Sequence, residues 1–279
     1  MCAQRTTSSD STSKHGLILL GNSGVGKSFL GNVILGRDVF EHECSSGSVT
    51  HETEFEDYAV GNASYAVFNI PGLIEADQEA VDRNKAEIYK AFQQRPDSVV
   101  AFVFAGGSGG RIRDEDIIAF KAINNVYKFQ SKSLLLIVND LPPRRPPKYE
   151  GGTLIKLEHH LGIQHIQVCF LDRINNTDED EREQMRAKLF DAIIRCTPIT
   201  HKKDGDIQLN VDVLKQLTDE SKAQQKTFQE QLAKLQTEID ARQKAFDEYK
   251  TQQAQQPREI HHIRETFTDR QSGFSCTLS

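Results

Sequence analysis

The sequence predicts an α/β fold, a doubly wound and mostly parallel sheet, followed by a long α-helical extension. Two observations carry the first part. Short runs rich in Val, Ile, Leu and Phe alternate with amphipathic segments from Gly16 to Cys196, and a glycine-rich turn directly follows the first of those runs. A third observation carries the extension. Past about Thr200 the chain turns polar, and from Asp206 to Gln256 it is built largely of Gln, Lys, Glu, Ala and Leu without one Gly or Pro.

In chain order, residues 1–14 are Ser- and Thr-rich without periodicity and read as a disordered arm. The domain is expected over residues 15–200. Its strands fall at Gly16–Leu20, Glu54–Val60, Tyr65–Ile70, Ser98–Phe104, Ser133–Val138 and Ile166–Leu171, and Gly61-Asn62 is a hairpin signal between the second and third. Its helices fall at Lys27–Leu35, Gln78–Gln94 (stopped ahead of Pro96), Asp114–Tyr127, Tyr149–Leu161 and Asp178–Cys196. Thr177-x-x-Asp180 opens the last in the manner of a capping box. Continuous apolar strands between amphipathic helices imply a sheet covered on both faces. Residues 206–256 then read as one helix of about 75 Å at 1.5 Å per residue. Its apolar positions Leu214, Leu217, Phe228, Leu232, Leu235, Ile239, Phe246 and Tyr249 step mostly by three and four, while Ser221, Gln224 and Arg242 interrupt the seam. Folding back onto the domain and pairing with another helix both fit this pattern. Residues 257–279 form a polar tail.

The turn after the first strand, Gly21-Asn22-Ser23-Gly24-Val25-Gly26-Lys27-Ser28, spells G-x-x-x-x-G-K-[ST] and leads through Phe29 into the first helix. This pattern suits phosphate. Glycines allow close backbone approach, the helix N-terminus supplies N–H donors, Lys27 reaches the β- and γ-phosphates, and the Ser28 hydroxyl ligates Mg²⁺. Two further motifs bear on the nucleotide. Asn69-Ile70-Pro71-Gly72 follows the third strand where GTPases carry D-x-x-G, so Gly72 can offer its N–H to a γ-phosphate. Ile137-Val138-Asn139-Asp140 ends the fifth strand where a carboxylate accepts from guanine N1 and N2, a donor pair adenine lacks.

With these motifs, Gly31–Gly36, Ser48-Val49-Thr50, Pro71-Gly72-Leu73, and Gly110-Arg111-Ile112-Arg113-Asp114-Glu115-Asp116, the stretch Gly16–Cys196 resembles the immunity-associated nucleotide-binding GTPases. This is the GIMAP or AIG-type family, related to septins and the chloroplast import GTPases. The resemblance implies a guanine-nucleotide switch using GTP, GDP and Mg²⁺, with slow hydrolysis and nucleotide-dependent homodimerisation through the G domain. It implies that Thr50 caps the γ-phosphate and Mg²⁺, with Ser48 and Thr53 as competitors; that Arg111, in the box Gly110–Asp116, serves as a cation toward a partner's phosphates; and that Asn175-Asn176 lie near the base. Three departures stand out. Asn69 replaces the aspartate of the Mg²⁺ site, Asp140 alone remains of the T-x-K-D-like base motif, and Leu73 stands where Ras-like proteins place a water-orienting glutamine. The alternative reading is a non-hydrolysing nucleotide-binding scaffold that acts through its C-terminal helix, with a helix-mediated protein partner.

Composition narrows the rest. A net charge of −6 with both signs interspersed argues against a general nucleic-acid binder. Five cysteines without C-x-x-C spacing suggest neither a disulfide framework nor a zinc site and point to a reducing, cytoplasmic compartment. His159-His160 and His261-His262 lack ligand spacing and read as surface, and Pro142–Lys148 reads as a stiff loop after Asp140. The ending Cys276-Thr277-Leu278-Ser279 fits C-a-a-X apart from Thr277. A prenylated Cys276 without a polybasic signal would give reversible, peripheral membrane association of part of the population.

Overall fold

The computed structural model describes residues 15–41, 53–60, 63–74, 78–107, 110–209 and 211–255. The arm 1–14, the Ser48–Thr50 segment, the Gly61-Asn62 turn and the tail 257–279 lie outside the described residues.

The elements are β1 (His15–Leu20), α1 (Lys27–Leu35), β2 (Glu54–Val60), β3 (Ala63–Asn69), α2 (Gln78–Gln94), β4 (Asp97–Ala105), α3 (Asp114–Tyr127), β5 (Leu134–Leu141), α4 (Tyr149–Leu161), β6 (Gln167–Asp172), α5 (Glu179–Ile194), β7 (Ile199–Thr200) and α6 (Val211–Gln255). The main sheet runs β2-β3-β1-β4-β5-β6, antiparallel only at the β2 edge. Period-two alternation divides its side chains between two cores. Ile18, Leu20, Phe68, Val100, Phe102, Phe104, Leu136 and Val138 face one way and pack with α2, α3 and α4. Leu17, Leu19, Val67, Val99, Ala101, Val103, Leu135 and Ile137 face the other way and pack with α1 and α5. The sheet is therefore doubly wound. Phe102 and Phe120 meet edge to face at 5.1 Å, fully buried, so truncating either to alanine removes about 3–5 kcal/mol.

Two element expectations are corrected and one strand is added. Helix α5 stops at Ile194, two residues before Cys196. β7, too short to show a period in the sequence, pairs antiparallel with the start of β4 through Asp97↔Thr200 and Ser98↔Ile199. The long helix begins at Val211 and not at Asp206, because Ile207 and Leu209 are buried in the first core. Residues 201–209 thus form a strap. The His201 N–H donates to the Pro96 carbonyl at 2.7 Å, Asp204 N to Val126 O at 2.9 Å, and Ile207 N to the Tyr89 hydroxyl at 2.6 Å.

Contacts divide the chain into two units, Met1–Ala223 and Gln224–Ser279. Within the second, Leu232, Leu235, Ile239, Phe246 and Tyr249 are exposed on α6. Among the described residues no helix is long and apolar enough to cross a membrane.

The strap has a pH signature. His201 is buried, its ring 5.6 Å from those of Phe92 and Phe129, with Nε2 3.1 Å from the Ser98 carbonyl oxygen. Burial pulls its pKa below the ordinary 6.5, against the weaker opposing pull of the Ser98 carbonyl and Asp97. An imidazole with a lowered folded-state pKa binds its proton more weakly in the native state. Its contribution to stability is intact above the unfolded pKa and lost as pH falls through the lower folded value. His201→Gln, which cannot titrate, should therefore show a flatter fall in thermal midpoint than the unmutated chain between pH 7 and 5; scanning calorimetry of both proteins checks it.

Candidate functional site

In the sheet β1 and β4 are neighbours, and the chain leaves β1 toward the β3 side and β4 toward the β5 side, so a crevice opens between them at the carboxyl ends of the strands. The segments after β1, β3, β4, β5 and β6 all end there. The phosphate-loop pattern occupies the centre of this crevice.

Its conformation requires its glycines. Gly21 has φ +144°, and a Cβ there would lie 2.5 Å from the Val103 carbonyl oxygen. Gly26, left-handed at φ +92°, is the N-cap of α1, and a Cβ on it would lie 2.4 Å from Asn139 Nδ2. Helix α1 then begins with no side-chain cap and no acidic residue in its first turn. A helix N-terminus with no side-chain cap and no competing carboxylate is an anion-accepting arrangement. Lys27, only 7% exposed, lies over the loop with its ammonium donating to the Asn22 carbonyl at 2.9 Å.

Two buried side-chain contacts hold the loop from opposite sides. From β5, Asn139 Nδ2 donates to Val25 O at 3.0 Å. From the start of α3, Asp116 Oδ1 accepts from Asn22 Nδ2 at 2.9 Å, while Asn22 Oδ1 accepts from Ile74 N at 3.3 Å. Asp116 is fully buried, and its Oδ2 also accepts from Ala105 N and Arg113 Nε, each at 3.4 Å. Burial pushes its carboxyl above the usual carboxylate range, opposed by the Arg113 charge and the Asn22 amide. One side chain of the loop therefore connects the box before α3 to the segment after β3.

That segment is held closely. A Cβ on Gly72 would fall 2.3 Å from Ser23 N, so only glycine lets the two backbones meet, and Gly72 O accepts from the buried Asn84 Nδ2 at 2.6 Å. Leu73 is 1% exposed and packs into the core. Asn69 Nδ2 donates to Ser28 Oγ at 3.0 Å. The Ser28 hydroxyl suits Mg²⁺, a hard cation that keeps several waters and takes phosphate oxygens, and Asn69 brings a neutral amide beside it in place of a carboxylate. No group of three or more His, Cys, Asp or Glu able to hold a metal occurs among the described residues.

On the other flank, a cavity of about 230 Å³ joins Gly24, Val25, Gly26 and Phe29 to Asn139, Asp140 and Arg173. Asp140 is left-handed at φ +61°, where the β5–β6 ladder shifts register between Val138 and Leu141. Asn175 is not in the cavity wall. Its Oδ1 accepts from the Thr177 N–H and hydroxyl at 3.3 and 3.0 Å, and its N–H donates to Glu181 Oε2 at 2.6 Å. Arg111 is exposed, directly after Gly110, whose carbonyl accepts from the Tyr149 hydroxyl at 2.5 Å. Thr50 lies outside the described residues. Thr53, its neighbour in the sequence reading, is tied to α2, with its N–H on Glu87 Oε2 at 2.6 Å and its hydroxyl on Glu87 O at 3.2 Å. Asp116, Asn84 and Arg173 had no site role in the sequence reading. Asp116 stood within a recognised motif; the other two carried no signal, being single polar residues on a helix and after a strand.

A mainly parallel doubly wound sheet with a glycine-rich phosphate loop at its switch point defines the class of P-loop α/β domains. Within that class, the AIG1 family profile matches residues 15–141, so this segment is similar to the AIG1 family. Solved structures similar to the chain include Toc33 from Arabidopsis thaliana in complex with GDP and Mg²⁺, at 18% identity and TM-score 0.45 over 68% of this chain and 89% of that one. Era from Aquifex aeolicus bound to GDP and aluminium fluoride is similar at 18% identity and TM-score 0.47, over 73% and 64%.

The loop's two holds are separable by mutation. Asp116→Ala leaves Asn22 Nδ2 and Ala105 N without their buried acceptor and should cost about 2–4 kcal/mol in urea unfolding. Asp116→Asn, which keeps an acceptor and removes the buried charge, should cost clearly less. The raised pKa gives a direction as well: the carboxyl's contribution is greatest when protonated and declines as pH rises through its folded value, so the parent's advantage over Asp116→Asn should widen toward acid pH.

Proposed function

We propose that this protein is a guanine-nucleotide-binding switch that binds GTP and GDP with Mg²⁺, hydrolyses GTP slowly and pairs through its G domains in the triphosphate state. The observation that carries the reading is the left-handed glycine loop, held at Val25 and Asn22, that opens the uncapped start of α1 beneath a buried lysine. Phosphates at that helix start would meet successive backbone N–H groups, and Lys27 would exchange the Asn22 carbonyl for β- and γ-phosphate oxygens. Gly72, whose backbone closely approaches that of the loop at Ser23, would on this reading offer its N–H to a γ-phosphate. Bound Mg²⁺, held by Ser28 and on this reading Thr50, would neutralise phosphate charge as it builds.

The residues also support slow turnover. Leu73 packs into the core and offers no group to orient water, and Asn69 holds Ser28 with an amide. The missing transition-state cation is supplied, on this reading, by Arg111 of a second copy, since an arginine acting in trans can replace a missing water-orienting group. A second reading, a non-hydrolysing scaffold, is favoured by the same Asn69 and Leu73 together with the exposed apolar row on α6. Comparing GTP and ATP turnover with and without Mg²⁺ separates the two readings.

Two outcomes are expected. Lys27→Ala should lose guanine-nucleotide binding in calorimetry while keeping its circular-dichroism spectrum, and retained micromolar affinity would remove the phosphate-loop reading. Specific GTPase activity should rise with protein concentration, and an Arg111→Ala chain should recover turnover when mixed with a catalytically dead partner that still binds GTP and carries Arg111. Constant specific activity, indifferent to Arg111, points to a single-chain mechanism.

A further inference from the structure

The carboxylate at the base end of the cavity is already engaged. Arg173 Nε lies 2.6 Å from Asp140 Oδ1 and Arg173 Nη2 lies 2.7 Å from Asp140 Oδ2, a bidentate fork on both oxygens. Backbone geometry sets this pair up. Asp140 sits at the register break of β5 with φ +61°, an uncommon conformation for a residue with a side chain. Asn139 before it is anchored to Val25 O, and Arg173 is brought alongside by its own N–H on Leu141 O at 2.8 Å. Both side chains border the cavity that contains Gly24–Gly26 of the phosphate loop.

The chemistry of the fork is specific. The guanidinium presents two parallel N–H donors on one carbon, N–C–N, in a plane. Guanine presents the same fragment at its N1–H and N2–H edge, and adenine has no such pair.

We propose that Arg173 occupies Asp140 as an internal mimic of the guanine edge, so that the base site is self-occupied and opens only to a base able to replace both donors. This rests on the reading of Asp140 as the base-recognising carboxylate. Arg173 is then a specificity-determining residue. It taxes every guanine nucleotide by the strength of one exposed ion pair and gives adenine nucleotides no means of displacing it. Inosine nucleotides, with N1–H and no N2 amine, replace only half of the fork.

The test titrates the full chain, its Arg173→Ala, Asp140→Ala and double variants with fluorescent GDP, IDP and ADP at fixed salt and Mg²⁺. Arg173 is exposed, so its removal is not expected to unfold the chain, and thermal melts confirm this. Arg173→Ala should tighten GDP by about two- to fivefold, IDP by less, and leave ADP within error. In the double variant, GDP affinity should equal that of Asp140→Ala alone. Unchanged or weaker GDP binding in Arg173→Ala, or an equal change for GDP and ADP, overturns the proposal while leaving the base site in place. If Asp140→Ala keeps the GDP-to-ADP ratio of the parent, the base reading fails and the proposal falls with it. Binding of GDP by Arg173→Ala alone, with none by the parent, would support self-occupation in its strongest form, whereas no nucleotide binding by any of the four chains removes both.

Discussion

A loop of left-handed glycines has no ladder partners, so its shape depends on what grips its few polar handles, and here the grip is the hydrogen bond from Asn139 Nδ2 to the Val25 carbonyl. It is buried, and it spans more than a hundred residues of sequence. It makes the end of β5 the template on which the turn after β1 is formed. The same amide is the atom a Cβ on Gly26 would strike, so the contact that holds the loop also dictates that the residue before Lys27 be glycine. Position, conformation and residue type follow from one interaction.

The opposite side of the loop is held differently. Asp116 is a carboxylate buried without full charge compensation, its closest cation being Arg113 at 3.4 Å, and such a group is retained at a cost to stability. What it gains is connectivity. Through Asn22 it joins the turn ahead of α3 to the segment after β3, and through Ala105 N it closes the end of β4. One chain of hydrogen bonds thereby runs from the Ile74 N–H through Asn22 and Asp116 to Arg113, two residues after Arg111.

The fold was legible because its signals are local. Strands such as Val99–Phe104 are continuous apolar runs, helices such as Gln78–Gln94 end ahead of a proline, and the eight-residue loop spells its geometry in glycines. The segment 201–209 was not legible for the opposite reason. Ile207 and Leu209 are two apolar residues in a polar stretch, and only the slot beside Tyr89 explains them. At the candidate site, the loop residues and Asn69, Gly72 and Asp140 are the ones a motif singles out. Their holders carry no motif: Asn84 and Arg173 act by reaching a carbonyl and a carboxylate far off in sequence, and no spacing rule encodes such partnerships. Asn175, also singled out by its motif, has its side-chain oxygen on the turn that starts α5.

The strap of residues 201–209 sets where this domain ends. Cutting the chain at Thr200, the limit that periodicity suggests, would keep all six strands of the main sheet and still expose the slot that Ile207 and Leu209 fill. It would also deprive the Val126, Pro96 and Ser98 carbonyls of the partners that close them. The smallest self-sufficient folding unit therefore runs past Leu209, and the approach to α6 is part of the domain's inner wall and no mere tether. Whatever pulls on that approach pulls first on α2 at Tyr89, the helix whose Asn84 holds the carbonyl of Gly72.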